Sequence, residues 1–317
     1  MRTTSFAEFR DHVAHEPVWV VLGVQGSGTN LLSRVLERAF GFSLIEDGSV
    51  IFKAAARLGD SSTAADVRRE YSVVRSRLLP STLVRKTRRL VKANTSFDGI
   101  DDHFDAARMS SGTDLARFVY GYGAFRLGTT RMAIKSDDMW EDIDRIDAVL
   151  PNRRIILLTR DFRDNVLSVA NKDFGPIEPL IASRFVKRQF AIYEAEYRRT
   201  APEHRFHLRY EDLLESPFAV VRALNAHFRL PFVEAWEPSL SALHIRRGNT
   251  EKWRSLPPRL LGNVEAMLNG ELRRFGYGLG SRGASFPTRP AWALALASDA
   301  FWRVGQKTRH IAKRLAR

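Results

Sequence analysis

Three stretches hold residue types suited to gripping a phosphate ester. The first is "GVQGSGTN", residues 23–30. Backbone N–H groups of such a glycine loop, with the N-terminus of a following helix, bind an anion without any side-chain charge. The Ser27 and Thr29 hydroxyls add donors. Gly23 and Gly28 fit the Walker spacing, but Thr29 stands where the lysine belongs and Asn30 where the magnesium-binding hydroxyl belongs. The second is "LLTRDFRDNVLS", 157–168. Arg160 sits at the carboxyl end of an apolar run, where ligands of open α/β sheets bind. An arginine fork with the Ser168 hydroxyl suits a terminal phosphate monoester. The third is "IRRGNTEKWR", 245–254, with Arg246, Arg247 and Gly248 offering two cations and a close backbone approach. Each has a plainer reading: a packing turn, a helix-start ion pair, a solvated charge run.

The surrounding pattern supplies elements to hold these residues. Residues 5–14 read as a short helix with Phe6 and Phe9 on one face. Val18 to Val24 is a buried strand, and 29–40 has a helical period stopped by Gly41. The glycine loop therefore lies between a strand and a helix. Further strands are expected at 131–135, 154–159 and 206–210. Helices are expected at 53–93 with a break at Pro80, 101–127, 139–150, 162–171, 178–199 and 217–229. Alternation of this kind predicts an α/β class, a three-layer α/β/α arrangement on a central parallel sheet.

Composition narrows the classes. The 317 residues contain no cysteine, which excludes disulfide and thiolate chemistry. The N-terminal stretch lacks the apolar core of a secretory signal, and no run reaches the roughly 20 apolar residues of a membrane span. A cytoplasmic location is expected, peripheral at the inner membrane surface if the tail binds lipid. The net charge is +14. Residues 53–94 hold eleven Lys/Arg against three Asp/Glu, and residues 289–317 hold seven against one. These two segments carry the whole excess. No nucleic-acid motif accompanies them, so no specific nucleic-acid partner is expected.

The order of glycine loop, R-x-x-[KR]-D-x-x-x-S, Y-E-D and R-[KR]-G-x-x-x-x-W-[KR] resembles that of the sulfotransferases that use 3′-phosphoadenosine 5′-phosphosulfate (PAPS). Here the stretches are "GVQGSGTNLL", "RDFRDNVLS", "RYEDLLESP" and "RRGNTEKWR", and "FGY" at 275–277 closes the region as in that family. The likeness covers about residues 17–277 and is nearer to carbohydrate-sulfating and bacterial members than to cytosolic small-molecule ones. It implies a P-loop NTPase-like sulfotransferase fold over 1–280, with a basic helical insertion at 53–130. It also implies PAPS as donor, adenosine 3′,5′-bisphosphate as product and no metal. Gln25, Gly26, Ser27, Gly28, Thr29 and Asn30 would then be the 5′-phosphosulfate loop. Arg160 and Ser168 would hold the 3′-phosphate, with Arg246, Arg247 and Gly248 as its second contact. Tyr210 would lie near the adenine, Lys135 would point at the sulfuryl group, and Trp253 would pack the last loop.

Two departures matter. The family places a cation before Ser-Gly-Thr, where this chain has Gly26, so Lys135 and the Gln25 amide are expected to carry more of that work. The histidine used as base in cytosolic members is also absent, and Asp137 stands there. Glu46, in "FSLIEDGS", occupies the place where carbohydrate- and tyrosine-sulfating members put a glutamate, and it is favoured over Asp137 as base. The implied acceptor is a hydroxyl of a carbohydrate or glycolipid. A +8 insertion suggests an acidic acceptor or anionic membrane nearby; its plainer reading is a solvated face. Residues 281–317 read as a linker and a basic amphipathic helix. Leu294, Ala297, Phe301, Val304, Thr308, Ile311 and Leu315 form its apolar stripe. That helix would anchor on an anionic membrane, pack on the domain, or pair with a second subunit as a homodimer. Two other functions stay open: a P-loop kinase with Asp161 as a Walker-B carboxylate for Mg-ATP, and an inactive relative that binds membrane or nucleic acid.

Overall fold

The computed structural model describes residues 5–46, 49–79, 93–135, 139–171, 177–245, 250–281 and 283–300. The expected residues Asp137, Arg246, Arg247 and Gly248, and the stripe from Phe301 onward, lie outside the described residues. In chain order the strands are β1 (Val18–Leu22), β2 (Ser43–Ile45), β3 (Met132–Lys135), β4 (Arg153–Thr159) and β5 (Arg205–Arg209). The helices begin with α1 (Phe6–His12), α2 (Thr29–Phe40), α3 (Ser49–Leu58), α4 (Ala64–Leu78), α5 (Gly112–Leu127) and α6 (Ile146–Val149). They continue with α7 (Phe162–Ala170), α8 (Pro179–Arg199), α9 (Tyr210–Glu215), α10 (Pro217–Phe228), α11 (Trp236–Ser241) and α12 (Pro258–Arg274). Two compact units share them. One comprises Met1–Gly23, Gly28–Leu158 and Ile192–Ile245; the other comprises Val24–Ser27, Thr159–Ala191 and Arg246–Arg317.

The first unit holds a five-stranded sheet of order β2-β3-β1-β4-β5, flanked by helices. Pairing is parallel between β1 and β3, β1 and β4, and β2 and β3. This is the α/β class that the alternation predicts. Every residue of β1, "VWVVL", is buried, as a parallel strand covered on both faces requires. Trp19 and Val21 pack with Leu32, Val35, Leu36 and Ala39 of α2 and with Val221, Leu224 and Phe228 of α10. Gly41 ends α2 in a left-handed conformation, φ 66°, the usual device for stopping a helix there.

Strand β2 is not expected from the sequence. Three residues are too few to show a period, and it is fixed from outside. Ile45 bridges Ala93. The Asn94 N–H donates to the Leu44 carbonyl at 3.3 Å, and Asn94 Oδ1 accepts from the Leu44 N–H at 3.0 Å. Asn94 Nδ2 donates to the Phe42 carbonyl at 2.8 Å. Helix α12 is likewise absent from the sequence expectation, and residues 100–108 form short 3₁₀ turns rather than one helix.

Part of the basic insertion's charge is paired within the described residues. Lys53 pairs with Glu141, Arg57 with Glu70, Arg69 with Asp66, and Arg75 with Asp101 at 2.7 Å. Among the described residues, four cations of this segment therefore serve the fold, and the plainer reading gains there. Helices α3 and α5 meet at Gly112, where an added Cβ would lie 2.0 Å from the Ala55 carbonyl oxygen. Gly112→Ala is expected to destabilise the protein by roughly 2–4 kcal/mol, read by urea unfolding, because backbone rather than a movable side chain opposes it.

In the second unit, Phe162 packs edge-on against Phe190, and Phe190 against Phe275, at 4.8 and 5.3 Å. Residues 289–300 are helical. Among the described residues, no helix is long and apolar enough to cross a membrane.

Candidate functional site

The glycine loop joins β1 to α2. Gly26 and Gly28 both take left-handed backbone, φ 85° and 94°, which only glycine adopts cheaply. Gly28 is the N-cap of α2 and supplies no side-chain cap. The N–H groups of Gly26, Gly28, Thr29 and Asn30 have no acceptor among the described residues. Three of these donors, those of Gly28, Thr29 and Asn30, stand at the start of the twelve-residue α2, where a helix leaves its first amides for other partners.

In the second unit, the loop residues Gln25 to Ser27 are held at several atoms. The Gln25 N–H donates to Gln189 Oε1 at 3.2 Å. Asn165 Nδ2 donates to the Gln25 carbonyl at 3.2 Å and to Ser27 Oγ at 3.1 Å. Arg160 Nη1 donates to the Gly26 carbonyl at 2.7 Å. Ser168 lies against Gly26: a Cβ built there would sit 2.3 Å from Ser168 Oγ. Gln25, Gly26, Ser27, Arg160 and Ser168, which the sequence placed in separate motifs, therefore form one cluster. Gln189 and Asn165 are the residues sequence reasoning missed. Asn165 had a weak signal, since it shares a helix with Ser168. Gln189 had none, lying 164 positions from its partner.

Asp164 joins this cluster to the third motif. Its side chain is fully buried and pairs with Arg160 Nη2 at 3.3 Å. It also accepts the N–H groups of Glu251 at 2.8 Å and Trp253 at 3.2 Å. Burial pushes the Asp164 carboxyl above its ordinary range, a rise that Arg160 and the Trp253 N–H only partly offset. One carboxylate thus fixes both Arg160 and the chain just beyond Arg246–Gly248. Neighbouring Arg163 is buried between Asp161, at 2.7 Å, and Glu265, at 2.5 Å. It stacks on the Trp253 ring at 3.7 Å. Both Asp161 oxygens accept from Arg163, a commitment that weakens the Walker-B reading of Asp161.

In the first unit, the Tyr210 ring packs on Gly28, with Cδ2 2.2 Å from a built Cβ. Tyr210 also belongs to the core cluster, so it buttresses the loop. Thr29 is buried and Asn30 exposed on the first turn of α2. Lys135 ends β3 and is 5% exposed. Ile45 pairs with Ile134 across β2 and β3, so Glu46 follows the carboxyl end of β2 and Lys135 ends its neighbour β3. Val21 of β1 pairs with Lys135 on its other side. An acid, a cation and the start of the glycine loop thus share one edge, the edge where parallel sheets bind ligands. Among the described residues, no group of three or more His, Cys, Asp or Glu could hold a metal ion.

Residues 17–234 match the model described as the sulfotransferase family. The chain belongs to that family. This sulfotransferase is similar in fold to the sulfotransferase domain of the Synechococcus PCC 7002 olefin synthase. Identity is 16%, coverage is 83% of this chain and 95% of that one, and the TM-score is 0.56. The sulfotransferase domain from the curacin biosynthetic pathway matches at 15% identity over 83% and 98% of the two chains, TM-score 0.52. Sulfotransferase STF9 from Mycobacterium avium matches at 16% identity over 87% and 82%, TM-score 0.50. No curated protein sequence matches. The family match ends before the third motif, which joins the site through Asp164 instead.

Proposed function

We propose that this sulfotransferase moves the sulfuryl group of PAPS to a hydroxyl of a carbohydrate or glycolipid. The observation that carries the reading is the uncapped α2 N-terminus. Its left-handed Gly28 and three unengaged N–H groups, with left-handed Gly26 just before them, suit a 5′-phosphosulfate without a loop lysine. Gly26 cannot carry a cation without meeting Ser168, so the donor's charge falls to the loop amides, Arg160 and Lys135. Arg160 and Ser168, with Arg246, Arg247 and Gly248, hold the 3′-phosphate. Glu46 takes the proton of the acceptor hydroxyl as its oxygen bonds to sulfur and the bridging S–O bond breaks. Asp137 is the second candidate for that base. Lys135 stabilises the negative charge left on the departing adenosine 3′,5′-bisphosphate. The acceptor class rests on the place of Glu46. The transferase domain spans residues 1–280 in this reading.

The test is thermal stabilisation by adenosine 3′,5′-bisphosphate, AMP and Mg-ATP. The bisphosphate is expected to stabilise most. Arg160→Ala is expected to weaken it roughly 10- to 100-fold, the worth of charged hydrogen bonds of about 1.5–3 kcal/mol. Stabilisation by Mg-ATP alone would sink the reading and restore the kinase. Sulfate transfer to a panel of glycans and glycolipids then identifies the acceptor.

A further inference from the structure

Among the described residues, the helix at 289–300 packs within the second unit through one face. Ala295 and Asp299 are buried there. Asp299 Oδ1 accepts the Ile177 N–H at 3.3 Å, and the Arg184 guanidinium lies over the Trp292 ring at 5.4 Å. The opposite face presents Ala293, Ala297 and Ala300, flanked by Leu294 and Leu296, all exposed. Leu294 is 73% exposed, and Phe286, just ahead of the helix, is 75% exposed. The apolar stripe read from the sequence through Leu294 and Ala297 is therefore turned away from the packing face. Exposed large apolar groups gathered on one element mark a contact surface.

The chain beyond it indicates the occupant. Residues 301–317 contain six Lys/Arg, no Asp/Glu, and Phe301 and Trp302 at their start. A second copy would cover the leucines, but the segment after them offers no Asp or Glu to answer its six cations. A nucleic acid would use the cations and leave the leucines in water. An anionic lipid surface uses both, apolar side chains in the acyl boundary and cations at the headgroups. We propose that the exposed face of 289–300, with the basic segment after it, docks on an anionic phospholipid surface. The proposal does not depend on the donor assignment.

Cosedimentation of the full-length protein with vesicles tests it. The protein is expected to pellet with phosphatidylglycerol–phosphatidylcholine vesicles and to stay in solution with phosphatidylcholine alone. Each cation near an anionic surface is worth about fivefold in affinity. Lys313→Glu with Arg314→Glu should therefore weaken binding by at least about 25-fold. Leu294→Asp should weaken it roughly tenfold or more by removing an apolar side chain that the lipid would bury. Leu294 is exposed in the free protein, so that variant folds, and bisphosphate binding should be unchanged. The proposal is overturned by equal pelleting with both vesicle types, by no pelleting, or by binding that Leu294→Asp leaves intact. A dimer in light scattering that Leu294→Asp dissolves, with no vesicle effect, would also overturn it and assign the face to a second copy.

Discussion

Gly26→Lys restores the cation that the family pattern expects, yet it should abolish bisphosphate binding rather than improve catalysis. The backbone there has φ 85°, a conformation that costs a side-chain-bearing residue roughly 1–2 kcal/mol. The new Cβ would also sit 2.3 Å from Ser168 Oγ and 2.5 Å from Ser168 Cβ. The loop or α7 must move, and the loop amides that would meet the donor are displaced with it. Loss of one preorganised donor costs about 10²- to 10³-fold in rate, so the displaced loop should lose at least that much. Gly26→Ala should lose nearly as much, because the Cβ rather than the charge is at fault. Gly26→Lys with Ser168→Gly removes the overlap but keeps the backbone strain, and should recover part of the stability. Turnover and bisphosphate affinity measured on the three variants decide the matter. A rise in turnover for Gly26→Lys alongside a fall for Gly26→Ala would show that charge is what the loop lacks.

Asp164→Ala should be the most destabilising change at the site, by roughly 3–5 kcal/mol in urea unfolding. Removing one partner of a buried ion pair costs about that much. Two backbone N–H groups, of Glu251 and Trp253, lose their acceptor as well, each worth about 1–3 kcal/mol when buried. Asp164→Asn keeps an acceptor oxygen and should lose less. In that variant the 250–253 segment is held by one contact fewer. The apparent donor KM should rise about tenfold or more, while kcat changes less, if the variant loses roughly one charged hydrogen bond. An Asp164→Asn protein with unchanged donor KM would show that the 250–253 contacts serve folding alone.

The parts of the fold that were legible had repeating pattern. The all-apolar run of β1 and the 3.6-residue period of α2 announced themselves, and Gly41 marked the helix end. Strand β2 was illegible because its pairing depends on β3 and on Asn94, both distant in sequence. At the site, the glycine loop, Arg160 and Ser168 were legible as residue types. What held them was not: Gln189 and Asn165 are ordinary amides whose meaning comes only from the atoms they meet. The missing cation at Gly26 read as a deficiency. It is a steric requirement, visible only once Ser168 is placed against it. The charge of 53–94 was legible only as a sum, because two carboxylates that pair with it, Asp101 and Glu141, lie outside the segment.

The Asn94 contacts on β2 also bear on how the protein behaves when concentrated. β2 is the last strand in the order on its side of the sheet, and a bare outer strand offers a row of unpaired amides on which another chain can template. Here the Leu44 N–H and the Phe42 and Leu44 carbonyls are already engaged by Asn94, and Ala93 closes the position beyond. The sheet is thus blunted at that border by two residues of the same chain, a safeguard against edge-to-edge aggregation.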